Sequence, residues 1–560
     1  MKVNEALADA LAVEADGPIF GLMGDANMPV WGALCKDPRT RMVWSRHDGA
    51  AILMADGYAQ ATGKLGVVTV TCGPGLANGA NALLTAARAG TPLVVFTGEY
   101  VDDGGKGGLQ ALDQRRFAAA CEADFRPLAR VDSLAEDIAE GFYAARTRGR
   151  PMILNMPQAL WEAELPWEWD YRPSTAFLPK AAHAPSAAAL AELVEALAAA
   201  ERPVIVAGRG AAFAGARAEL ERLGDRVGAL LATSLVAKGF FDGHPWDVGI
   251  CGSFGSAPTE QLMAEADFVL GVGASMNFFT SEGGLLFPSA RVARIDVKPH
   301  APTIGATPGL HVQGDARQTT LALLQALDAR GGPSREGFRS AASRDVLATP
   351  TEQVPRPTDG MDPRELMRVL SASLPARTQV VCGAGHFWSW PIAHLALPPG
   401  GRFQHTAAFG SIGLGLGHAI GAAAGHPDRT TVLIEGDGSL LQGIQELHAA
   451  AEQGIKLIVL VMNDSGYGAE VLKMQWKKRD PRDAKWRSPD YVALARGFGG
   501  DGVRIEREAD LAAAIRQGVA AAGPFVIDAR ISPTLVSDSY SRIFLGQPNR
   551  QPLLRPAKPA

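Results

Sequence analysis

Short, continuous apolar runs, each closed by a turn signal and followed by a helical pattern, constrain this chain more than any other feature. In the first third they are GPIFGLMGD, KLGVVTVTCGPG, TPLVVFTGE and RPMILNMP; in the last third, TQVVCGAG, RTTVLIEGDGS, KLIVLVMNDSG and GPFVIDARIS. The middle third repeats the scheme with RPVIVAGRGA, ADFVLGVGA and ARVARIDVKP. Strands that are apolar throughout are buried on both faces, and strands alternating with helices pair in parallel. The expected fold class is α/β, built from doubly wound parallel sheets. At 560 residues the chain exceeds what one hydrophobic core organises. Two Pro-rich stretches, WEWDYRPSTAFLPKAAHAPS at 167–186 and PTEQVPRPTDGMDP at 350–363, read as linkers. They leave three units, expected at 1–170, 185–345 and 360–545.

A formal net charge of −5, without a Lys/Arg run, gives no sign of nucleic-acid binding. The cysteines, Cys35, Cys72, Cys121, Cys251 and Cys382, are scattered without CxxC spacing, which argues against a disulfide framework or a zinc site and fits a reducing cytosol. The N-terminal MKVNEALADALAVEADG is an acidic amphipathic helix with no apolar signal-peptide core. No run approaches eighteen apolar residues, so no membrane span is expected and the expected location is cytoplasmic.

In open parallel sheets, ligands gather beyond the carboxyl ends of the strands. Two such ends stand out. VLIEGDGS, 432–439, and KLIVLVMNDSGYG, 456–468, place Asp437 and Asp464 just past neighbouring strands. Two carboxylates at one sheet edge, among glycines, suit a hard divalent cation such as Mg²⁺, which commonly shares its oxygen ligands with a phosphate. Gly436, Gly438 and Ser439 open a helix whose free N–H groups can receive the anion. GDGS by itself also reads as a turn and helix cap, with Asp437 as the cap.

GDGS followed at this spacing by NDSGYG resembles the signature of thiamine-diphosphate (ThDP)-dependent enzymes, and the chain is similar over nearly its whole length to their acetolactate synthase / benzoylformate decarboxylase group. The resemblance implies an N-terminal pyrimidine-binding unit, a central Rossmann-like unit and a C-terminal diphosphate-binding unit. It implies Asp437, Asp464 and the backbone carbonyl of Gly466 as Mg²⁺ ligands. The family usually has Asn where this chain has Asp464, which makes the ligand set one charge more negative. FGSIGLGLGHAIGAA, 409–423, is similar to the segment in which a bulky aliphatic residue bends the cofactor into a V. That residue is Ile412 here, and the Gly410 carbonyl would accept from the cofactor's 4′-amino group. A buried core residue is the plainer reading of Ile412. GAGHFW, 383–388, implies diphosphate contacts that include His386, for which a structural role is equally open.

SRHDGAAILMADGYAQATGKLGVVTVTCGPGLANG, 45–79, resembles the family's Arg-His-Glu, Ala-Asp-Gly-Tyr-Ala and Gly-Pro-Gly pattern, with Gly73 opening the last. The family's Glu is the catalytic acid. It hydrogen-bonds N1′ of the aminopyrimidine and promotes the proton transfer that makes the thiazolium C2 nucleophilic. This chain has Asp48 there, shorter in reach by one C–C bond, roughly 1.5 Å. A misplacement of about 1 Å costs on the order of a hundredfold in rate. Three accommodations are open: a backbone shift, a bridging water, or altered or lost chemistry. Asp before Gly-Ala-Ala is also a good helix cap, a role incompatible with a proton relay.

By analogy the substrate lies near GDANM (24–28), TCGPG (71–75) and GGLQALDQRR (107–116), under AEVLKMQWKKR and the tail SDSYSRIFLGQP. Asn27, Gln110 and Gln114 are candidate carbonyl-orienting groups, each with a surface or structural alternative. Trp388, Trp390, Tyr467 and Trp476 are candidates for an aromatic pocket, with core packing as the alternative. AGRGAAF, 207–213, lacks the third glycine of a dinucleotide fingerprint because Phe213 stands there. FAD, present in some relatives, is not expected. The reading is a ThDP- and Mg²⁺-dependent lyase or carboligase acting on a 2-oxo acid or 1,2-dicarbonyl, as a homodimer or homotetramer whose cofactor lies between units of two copies. The alternative is a catalytically altered or inactive ThDP-binding protein.

Overall fold

The computed structural model describes residues 1–100, 108–179, 181, 183–299, 305, 307–331, 334–349 and 355–545. Residue 107 of the expected substrate loop, residues 546–548 of the expected covering tail, and 180, 182 and 350–354 of the expected linkers lie outside them. Three six-stranded sheets form the described chain, and every strand pair in them is parallel. The expected α/β class with three doubly wound sheets is what the chain adopts.

The first sheet contains β1 (Ile19–Gly21), β2 (Met42–Trp44), β3 (Gly66–Thr69), β4 (Leu93–Glu99), β5 (Asp124–Pro127) and β6 (Pro151–Pro157), in the order β2-β1-β3-β4-β6-β5. The middle sheet contains β7 (Pro203–Ala207), β8 (Leu230–Thr233), β9 (Asp247–Ile250), β10 (Phe268–Val272), β11 (Arg291–Asp296) and β12 (Leu310–Gln313), in the order β12-β11-β10-β7-β8-β9. The third contains β13 (Gln379–Cys382), β14 (Arg402–His405), β15 (Thr431–Gly436), β16 (Ile458–Asn463), β17 (Asp501–Ile505) and β18 (Phe525–Arg530), in the order β14-β13-β15-β16-β18-β17. Interior strands such as β15 and β16 are buried at every position, as their unbroken apolar sequence requires.

Register decides where the loops emerge. Gly436 pairs with Met462, so Asp437 and Asp464 leave adjacent strands at one sheet edge. Cys382 pairs with both Ile434 and His405, which brings the loops beginning at 383 and 406 to the same edge. In the first sheet, Gly21 pairs with Trp44 and Thr69, so the segments leading to Asp48 and Gly73 share an edge likewise.

The first and third units meet through two helices, Asp48–Thr62 and Gly415–Gly425. Glycines let their backbones touch: a β-carbon on Gly421 would collide with the Met54 carbonyl, and one on Gly417 would lie 3.0 Å from Leu53 Cβ. Gly417 lies against Ala50 and Leu53, Gly421 against Met54, and Gly425 against Tyr58 and Thr62. The helices therefore run side by side in the same direction, with Asp48 and the 410–415 segment at one end. Leu53, Met54, Leu416, Ile420, Leu433, Leu447 and Val459 fall in one continuous buried cluster across this contact. Among the described residues, no helix is long and apolar enough to cross a membrane.

Candidate active site

Asp437 is the first residue of the short Asp437–Leu441 helix, whose cap is Gly436 with no side-chain cap bond, so Asp437 is not the cap. Its carboxylate is nearly sealed, at 1% residue exposure, and Oδ2 accepts from the Gly466 N–H at 3.2 Å. Asp464 follows β16, and its side chain is 4% exposed. The two carboxyls lie within hydrogen-bonding reach of each other; burial raises both above the usual carboxylate range, and the neighbouring Asp437 charge raises Asp464 further. Ser465, between Asp464 and Gly466, takes a left-handed conformation with φ 60°.

The base nearest this pair is His386, whose Nε2 is 3.5 Å from Asp464 Oδ2. Burial drops its imidazole to about 4, so it is neutral at pH 7 and supplies no balancing charge. Two facing buried carboxylates require either a shared proton or a cation. Among the described residues no group of three or more His, Cys, Asp and Glu is placed to hold a metal ion, so a cation here would be held by two carboxylates and backbone oxygens, the donor set of Mg²⁺. Gly466 presents its N–H to Asp437, which places this backbone turn beside the carboxylate pair.

Glycine is obligatory around this edge. A β-carbon on Gly438 would lie 2.7 Å from Trp486 Cη2, and one on Gly468 would collide with Asp464 and His386. Ser439 Oγ accepts from the Gly413 N–H at 2.8 Å and also bonds Glu435, tying the helix start to the 410–415 segment. Glu435 was not singled out from the sequence. It sits beneath Gly383 and Gly415, where β-carbons would strike its carboxyl oxygens, and burial raises it to about 7. Its signal was a carboxylate in an otherwise apolar strand immediately before GDG.

Gly410 has φ 77° and no atom within 4 Å of where a β-carbon would sit, so the backbone there faces open space. Ile412 is half-buried and joins none of the hydrophobic clusters of the described residues, unlike Leu414 and Leu416. A core role for Ile412 is not what the structure displays. The adjacent Ser411 Oγ accepts from Asn81 Nδ2 of the first unit at 2.7 Å.

Asp48 opens its helix but does not cap it. His47 is the cap, and its Nδ1 accepts from the Gly49 N–H at 3.1 Å. Asp48 is 7% exposed; Oδ2 accepts from Asn78 Nδ2 at 3.1 Å, while Oδ1 is buried without a partner. Gly75 gives Oδ1 its room, since a β-carbon there would lie 2.9 Å away. Gly73, with φ 55°, abuts the Gln110 carbonyl and donates its N–H to Gln114 Oε1 at 3.2 Å.

The substrate candidates resolve differently. Asn27 is fully buried: Oδ1 accepts from Gly24 N–H, and Nδ2 donates to the Leu22 carbonyl and Thr69 Oγ1. Gln114 is equally committed, accepting from Gly73 and donating to the Gly98 carbonyl. Both amides brace loops, because closing a loop over a buried strand end demands internal partners. Gln110 is half-buried, with Oε1 3.6 Å from Cys72 Sγ. The four aromatics do not form one wall. Trp390 is core, Tyr467 stacks edge-on against Trp486, Trp476 is exposed, and Trp388 packs with Phe254 and Phe544. In the middle unit, Gly208 and Gly210 are filled by the 273–274 turn, and Phe213 is exposed beside Gly63.

Comparison with known proteins agrees along the chain. Residues 1–117 match the thiamine pyrophosphate enzyme N-terminal TPP binding domain, 190–326 the central domain, and 383–529 the C-terminal TPP binding domain. An acetolactate synthase large subunit of Parasynechococcus marenigrum is 29% identical over 99% of this chain and 91% of its own length. An acetolactate synthase of Arthrospira platensis is 26% identical over 97% of this chain and 96% of its own. A probable acetolactate synthase large subunit of Methanococcus aeolicus is 25% identical over 95% and 92%. Three parallel sheets matched in order by these domains define a thiamine-diphosphate-dependent enzyme. Within that family the chain belongs to the acetolactate synthase group.

Proposed function

We propose that this chain is a lyase or carboligase that breaks or joins the C–C bond next to a carbonyl in a 2-oxo acid or 1,2-dicarbonyl substrate. Bound thiamine diphosphate would supply a nucleophilic carbon and an electron sink. Asp437 and Asp464, with backbone oxygen from the Gly466 turn, would hold Mg²⁺ against the diphosphate. The Gly436–Ser439 helix start and His386 would receive the diphosphate oxygens. Ile412 and the Gly410 carbonyl would set the angle and donor position of the aminopyrimidine, beside Gly73. Asp48 Oδ1 would hold a proton for the cofactor's aminopyrimidine ring. Units at 1–170, 185–345 and 360–545, a homodimer or homotetramer, and no requirement for FAD complete the proposal.

The observation that carries it is the buried, unpartnered Oδ1 of Asp48, at the same end of the helix pair as Gly410 and Ile412. A buried carboxylate oxygen without a donor is costly, and a ligand N–H there removes the cost. The test is hydrogen–deuterium exchange at C2 of the bound cofactor, joined to a panel of 2-oxo acids with and without aldehyde, read by mass spectrometry. Exchange faster than in free cofactor, abolished in Asp48→Ala, supports the proposal. A second reading rests on the shorter arm of Asp48: a protein that binds the cofactor without this catalysis. It predicts binding with exchange no faster than in solution.

A further inference from the structure

Asp48 has a shorter arm than the glutamate it replaces, so its direction matters more than a longer side chain's would. Aspartate in the first turn of a helix tends to fold back onto the free N–H groups of its own backbone. Two neighbours prevent this. His47 occupies the cap and bonds Gly49 N–H, and Asn78 Nδ2 takes Asp48 Oδ2 at 3.1 Å. Only Oδ1 is left unpaired, facing the space that Gly75 keeps clear.

Asn78 is well fixed for this task. It ends the short Pro74–Asn78 helix that Gly73 launches, and its carbonyl packs on Gly49, where a β-carbon would lie 2.8 Å from that oxygen. Three residues on, Asn81 Nδ2 holds Ser411 Oγ at 2.7 Å, next to Ile412. The segment 73–81 thus grips both the acid and the segment that would shape the cofactor. We propose that Asn78 is a positioning residue: it clamps Oδ2 of Asp48, commits Oδ1 to the cofactor, and so lets the shorter acid serve. This rests on the function proposed above.

A double-mutant cycle tests it, with wild type, Asn78→Ala, Asp48→Glu and the pair compared by C2 exchange of the bound cofactor, calorimetric ThDP·Mg²⁺ affinity and melting temperature. Loss of the clamp misplaces the acid, and about 1 Å of misplacement costs on the order of a hundredfold. Asn78→Ala is expected to slow exchange at least about tenfold, with affinity changed less than about threefold. In the Asp48→Glu background the same change is expected to alter exchange less than about twofold, because the longer arm reaches without the clamp. Asn78→Ser, which keeps a donor, should recover part of the loss. Wild-type exchange in Asn78→Ala, or equal losses in both backgrounds, overturns the positioning role. Wild-type protein that fails to bind the cofactor, or does not accelerate its exchange, overturns the proposed function itself and this inference with it.

Discussion

Gly57 lies directly under the His418 carbonyl, so close that a β-carbon on Gly57 would overlap the oxygen. Beside this contact, Asp56 Oδ2 and His418 Nδ1 face each other at 3.5 Å with both side chains fully enclosed. These residues join the first and third units and hold Asp48 near the segment carrying Gly410 and Ile412.

Gly57→Ala should therefore force the two helices apart. Overpacking of this kind typically costs about 1–3 kcal/mol, and a backbone collision belongs at the upper end. The expected outcome in denaturant titration is a lower midpoint with reduced ThDP affinity. Gly497→Ala is the matched control: nothing lies within 4 Å of its β-carbon position, and neither quantity should fall.

Asp48→Glu probes reach. If the shorter arm limits proton transfer, the glutamate variant should exchange the cofactor C2 proton faster than wild type, while Asp48→Ala falls to the rate of free cofactor. The same exchange measurement, made across the three proteins at saturating ThDP and Mg²⁺, checks both.

Asp464→Asn removes one of two facing buried carboxylates. The cofactor-free variant should melt higher than wild type, by about 2–4 °C per kcal/mol of relieved repulsion in a domain of this size. Adding Mg²⁺ and ThDP should narrow the gap, because the cation neutralises the wild-type pair. Thermal scans with EDTA and with Mg²⁺ read both effects.

Glu446 gives a pH dependence of defined sign. It accepts from the Arg46 N–H at 3.0 Å, and burial raises it from 4.5 to about 7. The folded chain then holds more protons than the unfolded chain, so this group's stability contribution is complete below about pH 4.5 and is lost as pH rises through about 7. Glu446→Gln escapes that loss. Its stability relative to wild type should grow by on the order of 1–3 kcal/mol between pH 5 and 8, measured by denaturant titration.

The sequence exposed the interior strands and hid the edges. β1, β3, β4 and β6, β7, β10 and β11, and β13, β15, β16 and β18 are apolar runs, and each is an inner strand of its sheet. β2, β5, β9, β12, β14 and β17 are all edges, and β5 and β17 show why: partly exposed positions admit polar residues that break the apolar run. β8 is an interior strand that the apolar-run reading did not pick out. At the site, Asp437 and Asp464 were legible because strand ends and spacing fix them. The roles of His47, Asn78 and Glu435 depend on which atoms meet across loops, and no spacing encodes that. Asn27 and Gln114 meet the same limit: a polar side chain near a ligand edge looks alike in sequence whether it braces a loop or binds a substrate.

The most direct test of the central claim is a calorimetric titration of the folded protein with thiamine diphosphate, with Mg²⁺ present and again with EDTA. Saturable binding that requires Mg²⁺ and weakens when Asp437 is replaced by Ala is the expected result. A folded protein that shows no binding in either condition would contradict it.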